Sequence, residues 1–300
     1  MKIVWMNGGL GNQLFQYIFY RFLEEKSGDI CYIDDRFFFH RQRHFGYEIN
    51  KIFGLTPNLL SDFFDEDVWD EILKATKSDV NIIDFFNSSG LPMQVISEGS
   101  FIVDFYKTHS IPYSGKLYAF EANTYSPEIA NLQGDVYYHG YYINMNWFKE
   151  IRNLIFSELK FPEIDDEYNI DLASRISLRN SVAVHIRRGD FVTLGWALDP
   201  EWYQKAVEEI KRLVSKPSFF IFSDDTLWCR SNLETLGFDK SDHIEFIEGN
   251  TGGKNFRDMQ LMSLCKNLII ANSSFSYLAA LLNRHPEKCV ITATPQRQMF

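Results

Sequence analysis

From residue 181 onward the chain alternates short β-branched and aromatic runs with helical stretches, a rhythm that few architectures accept. Runs at 181–186, 218–222, 244–247, 267–271 and 289–293 read as strands, and stretches near 200–214, 226–236, 255–265 and 274–283 carry helical spacing. Parallel neighbours need crossover connections, so alternating elements of this length describe a doubly wound parallel sheet. The helix at 200 has a clear start signal, with Asp199 as cap and Pro200 at its first position.

The opening of the chain follows the same logic. Residues 2–6 form a short strand, Asn7-Gly8-Gly9-Leu10-Gly11-Asn12-Gln13 a glycine-rich turn, and Leu14, Phe15, Ile18, Phe19, Phe22 and Leu23 a helical stripe stopping near Gly28. A second strand begins at 30–33, which makes this the start of a parallel, right-handed α/β unit. Residues 61–79 carry Phe64, Val68 and Ile72 in a helical rhythm, acidic at the start and basic at the end, as a helix dipole prefers. Residues 85–142 mix short apolar runs with Gly, Pro, Ser and Tyr, and their topology is not readable. Residues 147–159 are again helical, and Phe161-Pro162-Glu163 followed by Asp165-Asp166-Glu167 reads as a domain connection. Single cores stop growing near ~250–300 residues, so the chain divides into a domain at 1–160 and a Rossmann-like domain at 161–300.

The formal net charge of −10 argues against a nucleic acid as main partner, although a focused cationic cluster can still bind a phosphate ligand. Aromatic residues make up 16% of the chain, and core packing is the leading reading for them, ahead of stacking on sugars. Cys31, Cys229, Cys265 and Cys289 are far apart and form no C-x-x-C pair, which argues against structural zinc and for reduced thiols. No apolar stretch approaches the ~20 residues that span a bilayer and no signal peptide precedes the first strand, so a cytoplasmic protein is expected.

Three clusters carry chemistry. His185-Ile186-Arg187-Arg188-Gly189-Asp190 follows an apolar strand and delivers two guanidiniums to its carboxyl end, where open α/β sheets bind ligands. A guanidinium offers a phosphate forked, permanently charged donors that lysine cannot match. Alternation along the strand puts His185 and Arg187 on one face and Arg188 on the other, so one arginine meets a phosphate while its neighbour pairs with a structural carboxylate. The turn at 8–13 aims backbone amides and a helix start at any anion. It lacks the third glycine of a dinucleotide fingerprint and the Gly-Lys-Ser/Thr of a P-loop. Taken alone, it is equally a tight strand-to-helix connection. Asn272-Ser273-Ser274 caps a helix that carries Ser276, and Asp258 on the preceding helix reads as an ordinary exposed carboxylate. Asp224-Asp225 reads as helix-capping, with metal binding the lesser alternative. His139, His243 and His285 are isolated and receive no role.

In this order the clusters resemble the α1,2-fucosyltransferases of glycosyltransferase family eleven. The resemblance rests on Gly8-Gly9-Leu10-Gly11-Asn12-Gln13-Leu14-Phe15-Gln16-Tyr17, Gly140-Tyr141-Tyr142 with Trp147-Phe148, residues 185–190, and Asn272-Ser273-Ser274-Phe275-Ser276. It implies a GT-B-like fold of two Rossmann-type domains, 1–160 on the acceptor side, with the nucleotide site in the cleft between them. It also implies GDP-β-L-fucose as donor, inversion at the sugar carbon, and no cofactor or metal. Carried over, Arg187 holds the β-phosphate with Arg188 as its partner, and His185 and Asp258 sit at the guanine. Ser274, in the turn with Asn272 and Ser273, meets the pyrophosphate, over which the amides of Gly9, Leu10, Gly11 and Asn12 close. These roles suit the chemistry. Departing GDP gains charge on its β-phosphate, and a carboxylate accepts guanine's N1–H and 2-amino group as a pair.

The implied acceptor is the 2-hydroxyl of a β-linked galactose in a glycan or polysaccharide repeat unit, with peripheral contact at the cytoplasmic face of the inner membrane where that acceptor is lipid-linked. Asp190 is the nearest candidate for a general base, or else orients an arginine. Two features depart from the family pattern: Tyr277-Leu278 stands where two aromatics are usual, and the chain ends at Phe300, where relatives often continue with a tryptophan-containing tail. A fucosyltransferase of other regiochemistry and an inert nucleotide-sugar or glycan-binding protein remain as alternatives. A nicotinamide oxidoreductase is disfavoured by the missing third glycine and by the lack of an acid at the second strand's end beyond Asp34-Asp35.

Overall fold

The computed structural model describes residues 1–40, 45–77, 79–91 and 93–293, with the side chains of 79–81 left aside. The chain divides into two compact units, Met1–Lys160 and Phe161–Phe300. Each is built on its own five-stranded sheet, and every described strand pair is parallel.

In the first unit β1 (Lys2–Trp5) leads through α1 (Leu10–Ser27) to β2 (Cys31–Asp34). The stripe at Leu14, Phe15, Ile18, Phe19, Phe22 and Leu23 is wholly buried, and Gly28 closes α1 at φ 68°, donating its N–H to Glu24 O. The Phe19 ring stacks on Tyr142 at 3.6 Å and meets Trp147 edge-on at 5.0 Å.

The stretch whose topology was unreadable supplies β3 (Gln94–Glu98), β4 (Leu117–Phe120) and β5 (Val136–His139), giving the order β2-β1-β5-β3-β4. Between β2 and β3 the expected helix at 61–79 is shorter: α2 is Glu66–Ala75, preceded by a 3-10 turn at Leu60–Phe63 and followed by α3 (Asp79–Ser88). Residue 78 lies outside the described residues. The buried face of α2 is Trp69 and Ile72, while Val68 is 42% exposed, because tryptophan covers more apolar surface in the same turn. After α4 (Phe101–Thr108), the helix expected at 147–159 proves to be two, α5 (Met145–Glu150) and α6 (Arg152–Glu158), broken at Ile151 with φ −127°.

The second unit opens with α7 (Glu167–Ser177) and β6 (Ser181–Ile186), the latter buried along its whole length. Short α8 (Gly189–Thr193) and long α9 (Pro200–Leu213) lead to β7 (Ser218–Ser223), and α10 (Thr226–Ser231) leads to β8 (His243–Ile247). Then follow α11 (Phe256–Leu264), β9 (Asn267–Ile270), α12 (Ser274–Leu282) and β10 (Val290–Thr292), in the order β10-β9-β6-β7-β8. This is the doubly wound sheet expected. Two details differ: α10 stops at Ser231 rather than near 236, and Asp199 stands at the N-cap of α9 without a side-chain bond there. Leu278 is fully buried and Tyr277 OH pairs with Thr292 Oγ1 at 2.7 Å, so both members of that unusual pair are core groups. Phe300 and the end of the chain lie outside the described residues.

One charged interaction sits inside the first unit. Arg36 grips Asp34 bidentately, Nε to Oδ1 at 2.9 Å and Nη2 to Oδ2 at 2.7 Å, and Tyr137 OH donates to the same carboxylate at 2.7 Å. All three side chains are buried. Removing one partner of a buried pair strands the other charge, so Arg36→Ala is expected to cost about 3–5 kcal/mol. Urea unfolding of the first unit measures this, and a loss within ~1 kcal/mol would show the pair to be dispensable.

Candidate functional site

In a parallel sheet every strand points its carboxyl end to the same edge, and ligands favour the place where strand order turns back. In the second unit the order runs β6, β7, β8 to one side and returns as β9 on the other side of β6. The residues after β6 are 187–190 and those after β9 are 271–276, so two of the three clusters flank this switch point.

The strand ends at Ile186, and face alternation ends with it. Both arginines meet carboxylates from the turn after β7, where one was expected to pair with a structural carboxylate and the other to be left for a phosphate. Arg187 Nη1 lies 2.9 Å from Asp224 Oδ2, and its Nη2 donates to Asp190 Oδ1 at 2.6 Å. Arg188 donates from its backbone N to Asp224 Oδ1 at 2.8 Å and from Nε to Asp225 Oδ2 at 3.1 Å. Its guanidinium lies 3.5 Å over the Trp228 ring. Asp225 also caps α10 through Trp228 N at 3.1 Å, as expected, whereas Asp224 serves the arginines. Gly189 permits this approach, because a Cβ there would stand 2.5 Å from Asp224 Oδ2.

His185 is buried, with its ring 6.0 Å from that of Phe275. Burial, helped by the Arg187 charge, pushes the imidazole down to about 3, so it is neutral at ordinary pH. Its Nδ1 has no hydrogen-bond partner among the described residues.

After β9, Asn272 Nδ2 donates to Trp196 O at 2.9 Å, tying this turn to the loop beyond Asp190. Its Oδ1 is buried without a partner among the described residues. Ser273 occupies the N-cap of α12 but makes no side-chain capping bond, so the expected cap is positional only. The Ser276 hydroxyl is spent on Ala271 O and Ser273 O, and Ser274 starts the helix.

Asp258 is not the exposed carboxylate the sequence suggested. It sits half-buried in the first turn of α11, where burial pushes it up to about 7 against the pull of Asn250 Nδ2, which donates to Oδ1 at 2.8 Å. Asn250 in turn pairs with Asn169 of α7. Neither asparagine stands out in the sequence, since each is a lone amide without a motif around it.

The first unit also turns back, between β1 and β5, and its two marked stretches lie there. Gly8 takes φ 76°, and a Cβ on it would stand 2.7 Å from Asn12 Nδ2. Gln16 links both strand ends, accepting from Asn7 N at 3.1 Å and donating to Gly140 O at 3.0 Å. Gln13 donates to Gly8 O at 2.9 Å and accepts from Glu48 N at 2.8 Å.

The buried Glu48 carboxyl, pushed up to about 7 by burial, accepts the Leu10 N–H. Asn12 N is bonded to Gly9 O at 2.9 Å. Two of the four amides assigned to a pyrophosphate are therefore engaged within the unit, and the Leu10 side chain is core. Glu98 accepts from Tyr141 N at 2.6 Å and Tyr142 N at 2.8 Å, which supports Tyr142 at φ 53°. Asp34, committed to Arg36, is not available as the ribose-binding acid of a nicotinamide enzyme.

Among the described residues no group of three or more His, Cys, Asp or Glu side chains could hold a metal ion, and no helix is long and apolar enough to cross a membrane. The four cysteines are free thiols, three of them buried.

Comparison with known proteins agrees with this architecture. The fucosyltransferase NodZ from Bradyrhizobium aligns over 94% of this chain and 93% of its own, with TM-score 0.52 and 12% identity, a likeness of fold that places the chain in the GT-B class. In sequence, the Escherichia coli alpha-1,2-colitosyltransferase is 37% identical over 188 residues, 59% of this chain and 61% of that protein. The alignment thus spans less than two thirds of that relative. The Escherichia coli O-antigen biosynthesis glycosyltransferase WbnK is 26% identical over 304 residues, covering 96% of this chain and 92% of its own length. The Mus musculus galactoside 2-alpha-L-fucosyltransferase Sec1 is 30% identical over 107 residues, 34% of this chain and 28% of its own. The sequence profile of glycosyl transferase family 11 matches residues 127–300, more than half the chain and both clusters of the second unit. This chain belongs to glycosyltransferase family 11.

Proposed function

We propose that the chain transfers L-fucose from GDP-β-L-fucose, with inversion and without a metal ion, to the 2-hydroxyl of a β-galactoside in a polysaccharide repeat unit. The observation that carries the reading is the arginine pair at the carboxyl end of β6, held from behind by Asp224 and Asp225. Leaving GDP concentrates charge on its β-phosphate. A fork of donors already in position stabilises that charge without reorganising at the moment of reaction.

Arg187 would bind the β-phosphate, with Arg188 behind it and the α12 start at Ser273 and Ser274 adding amides. Asp258 would accept guanine's N1–H and 2-amino group, with neutral His185 beside the base. The acceptor hydroxyl attacks the sugar carbon opposite the departing GDP, and its proton passes to a base or to solvent. A carboxylate paired with Arg187 at 2.6 Å is a poor proton acceptor, so Asp190 is assigned to holding that guanidinium until the phosphate takes its place. The role of WbnK in O-antigen biosynthesis supports a repeat-unit acceptor, with peripheral contact at the cytoplasmic membrane face where that acceptor is lipid-linked. A colitose donor is the second reading, favoured by the 37% identity to the colitosyltransferase.

GDP release from GDP-fucose and from GDP-colitose, with and without lactose and with and without EDTA, tests the reading. Acceptor-dependent release unaffected by EDTA is expected. Loss of activity restored by Mn²⁺ would overturn the metal-free step, and bound GDP-sugar with no turnover would mark an inert binder. Arg187→Lys should lower turnover about hundredfold, because a point charge replaces a fork. Asp190→Asn should stay within about tenfold of wild-type turnover, whereas loss of a general base would exceed ~10².

The guanine assignment has its own signature. Asp258 must be ionised to accept both donors, so affinity for GDP-fucose is full above pH 7 and weakens as pH falls through about 7. The expected loss is about tenfold between pH 8 and pH 6, read by calorimetry with a donor whose diphosphate does not titrate there. A flat profile would take Asp258 away from the base.

A further inference from the structure

A polar chain runs through the second unit behind Asp258, and no part of the reading above uses it. Asp166 caps α7, accepting Asn169 N at 3.0 Å. Its two carboxylate oxygens also take the Asn169 side-chain amide at 3.0 and 2.9 Å. That same Nδ2 donates to Asn250 Oδ1 at 2.9 Å, and Asn250 Nδ2 donates back to Asn169 Oδ1 at 2.9 Å. The second donor of Asn250 reaches Asp258 Oδ1 at 2.8 Å.

Asn169 is 2% exposed and Asn250 9%, so neither amide has water to replace a lost partner. An amide can face either way, but here each end of the chain is a carboxylate and so dictates an NH₂. The antiparallel amide pair is the arrangement that satisfies both ends, and it fixes which face of Asp258 is occupied.

The frame around the pair is also tied down. Glu248 N donates to Tyr168 OH at 3.2 Å, and Gly249 turns the loop at φ 108°. On α11, Arg257 beside Asp258 donates to Pro162 O at 3.0 Å and Glu163 O at 2.9 Å, and pairs with Asp165 at 2.9 Å. The segment entering the second unit, α7, the β8–α11 loop and the first turn of α11 therefore form one hydrogen-bonded block. Supporting a phosphate site would not need it, because that site is held from β7. What the block supports is the orientation of a single half-buried carboxylate.

We infer that Asn250 and Asn169 are positioning residues for base selection. They hold Asp258 so that Oδ2 and the remaining lone pair of Oδ1 face the paired N1–H and 2-amino donors of guanine. This rests on the donor reading given above for Asp258, and the test separates the two. Inosine keeps the N1–H and lacks the 2-amino group, so the ratio of IDP to GDP dissociation constants reports how well the carboxylate is aimed. The identical diphosphate cancels.

Calorimetry on the full chain is expected to show wild type favouring GDP at least about tenfold, the worth of one hydrogen bond to a charged group. Asn250→Ala should bring the ratio within about threefold of one. Asn169→Ser, which keeps the direct donor to Asp258, should fall between them. Loosening of structure alone would weaken both nucleotides together and leave the ratio unchanged. A folded Asn250→Ala with the wild-type ratio overturns the inference, and if that variant does not fold, an unchanged ratio in Asn169→Ser does so. Equal binding of IDP and GDP by wild type would instead refute the guanine role of Asp258, and the positioning role with it.

Discussion

Parallel pairing is the constraint on which the rest depends. Every described strand in both sheets runs parallel to its neighbours, so each unit must gather the segments that follow its strands at one edge. Strand order then selects a place on that edge. In the second unit the turn-back between β6 and β9 puts the arginine segment and the Asn272 turn side by side. In the first, the turn-back between β1 and β5 brings the glycine turn and Gly140-Tyr141-Tyr142 together through Gln16. The stretches marked out in the sequence, far apart along the chain, are thus the two lips of two switch points.

At the β6 end the charges are already balanced. Arg187 and Arg188 face Asp190, Asp224 and Asp225, so binding an anion there is an exchange of partners rather than the filling of a bare cationic pocket. Asp224 and Asp225 sit on a structured turn and the Arg188 guanidinium lies over Trp228, which pins both guanidiniums before any ligand arrives. Asp190 is different, with 58% of its side chain exposed. An exposed carboxylate gives up an ion pair at little cost, because water already screens it. The partner most readily exchanged is therefore the one from the same loop as the arginines. Those from β7 stay to hold the fork in place.

How much of this was legible depended on burial. The central strands β6, β7 and β9 of the second unit are buried and read as largely apolar runs, the edge strands β8 and β10 follow them in the alternation with helices, and all five were placed within about a residue or two. The strands at 94–98 and 117–120 were not, because β4 is an edge strand with exposed Tyr118 and the runs around it are short and mixed. Arg187 and Arg188 were legible as a pair at a strand end, but not their carboxylate partners Asp224 and Asp225, which a different strand supplies. Asp258 was misread as exposed because its position on a helix says nothing of what covers it. Glu48 and Asn250 gave no signal at all, for a buried polar residue is defined by distant partners rather than by neighbours in sequence.

On the proposed reading, the two ends of the donor are met by different electrostatic solutions. Burial drives both groups at the base toward their neutral forms, His185 down to about 3 and Asp258 up to about 7. Recognition there then runs through hydrogen-bond geometry, which is strong in a low dielectric only if every partner is aimed, and the amide chain from Asp166 to Asp258 does that aiming. At the phosphate end the side chains remain charged and partly solvated, and charge builds there as the sugar departs. One carboxylate, ionised above pH 7 and aimed by its amide partners, suits selection of the donor, and charge held in a fixed fork suits the reaction. The same sheet edge serves both because the buried histidine of β6 stands two residues before the half-buried arginine that follows the strand.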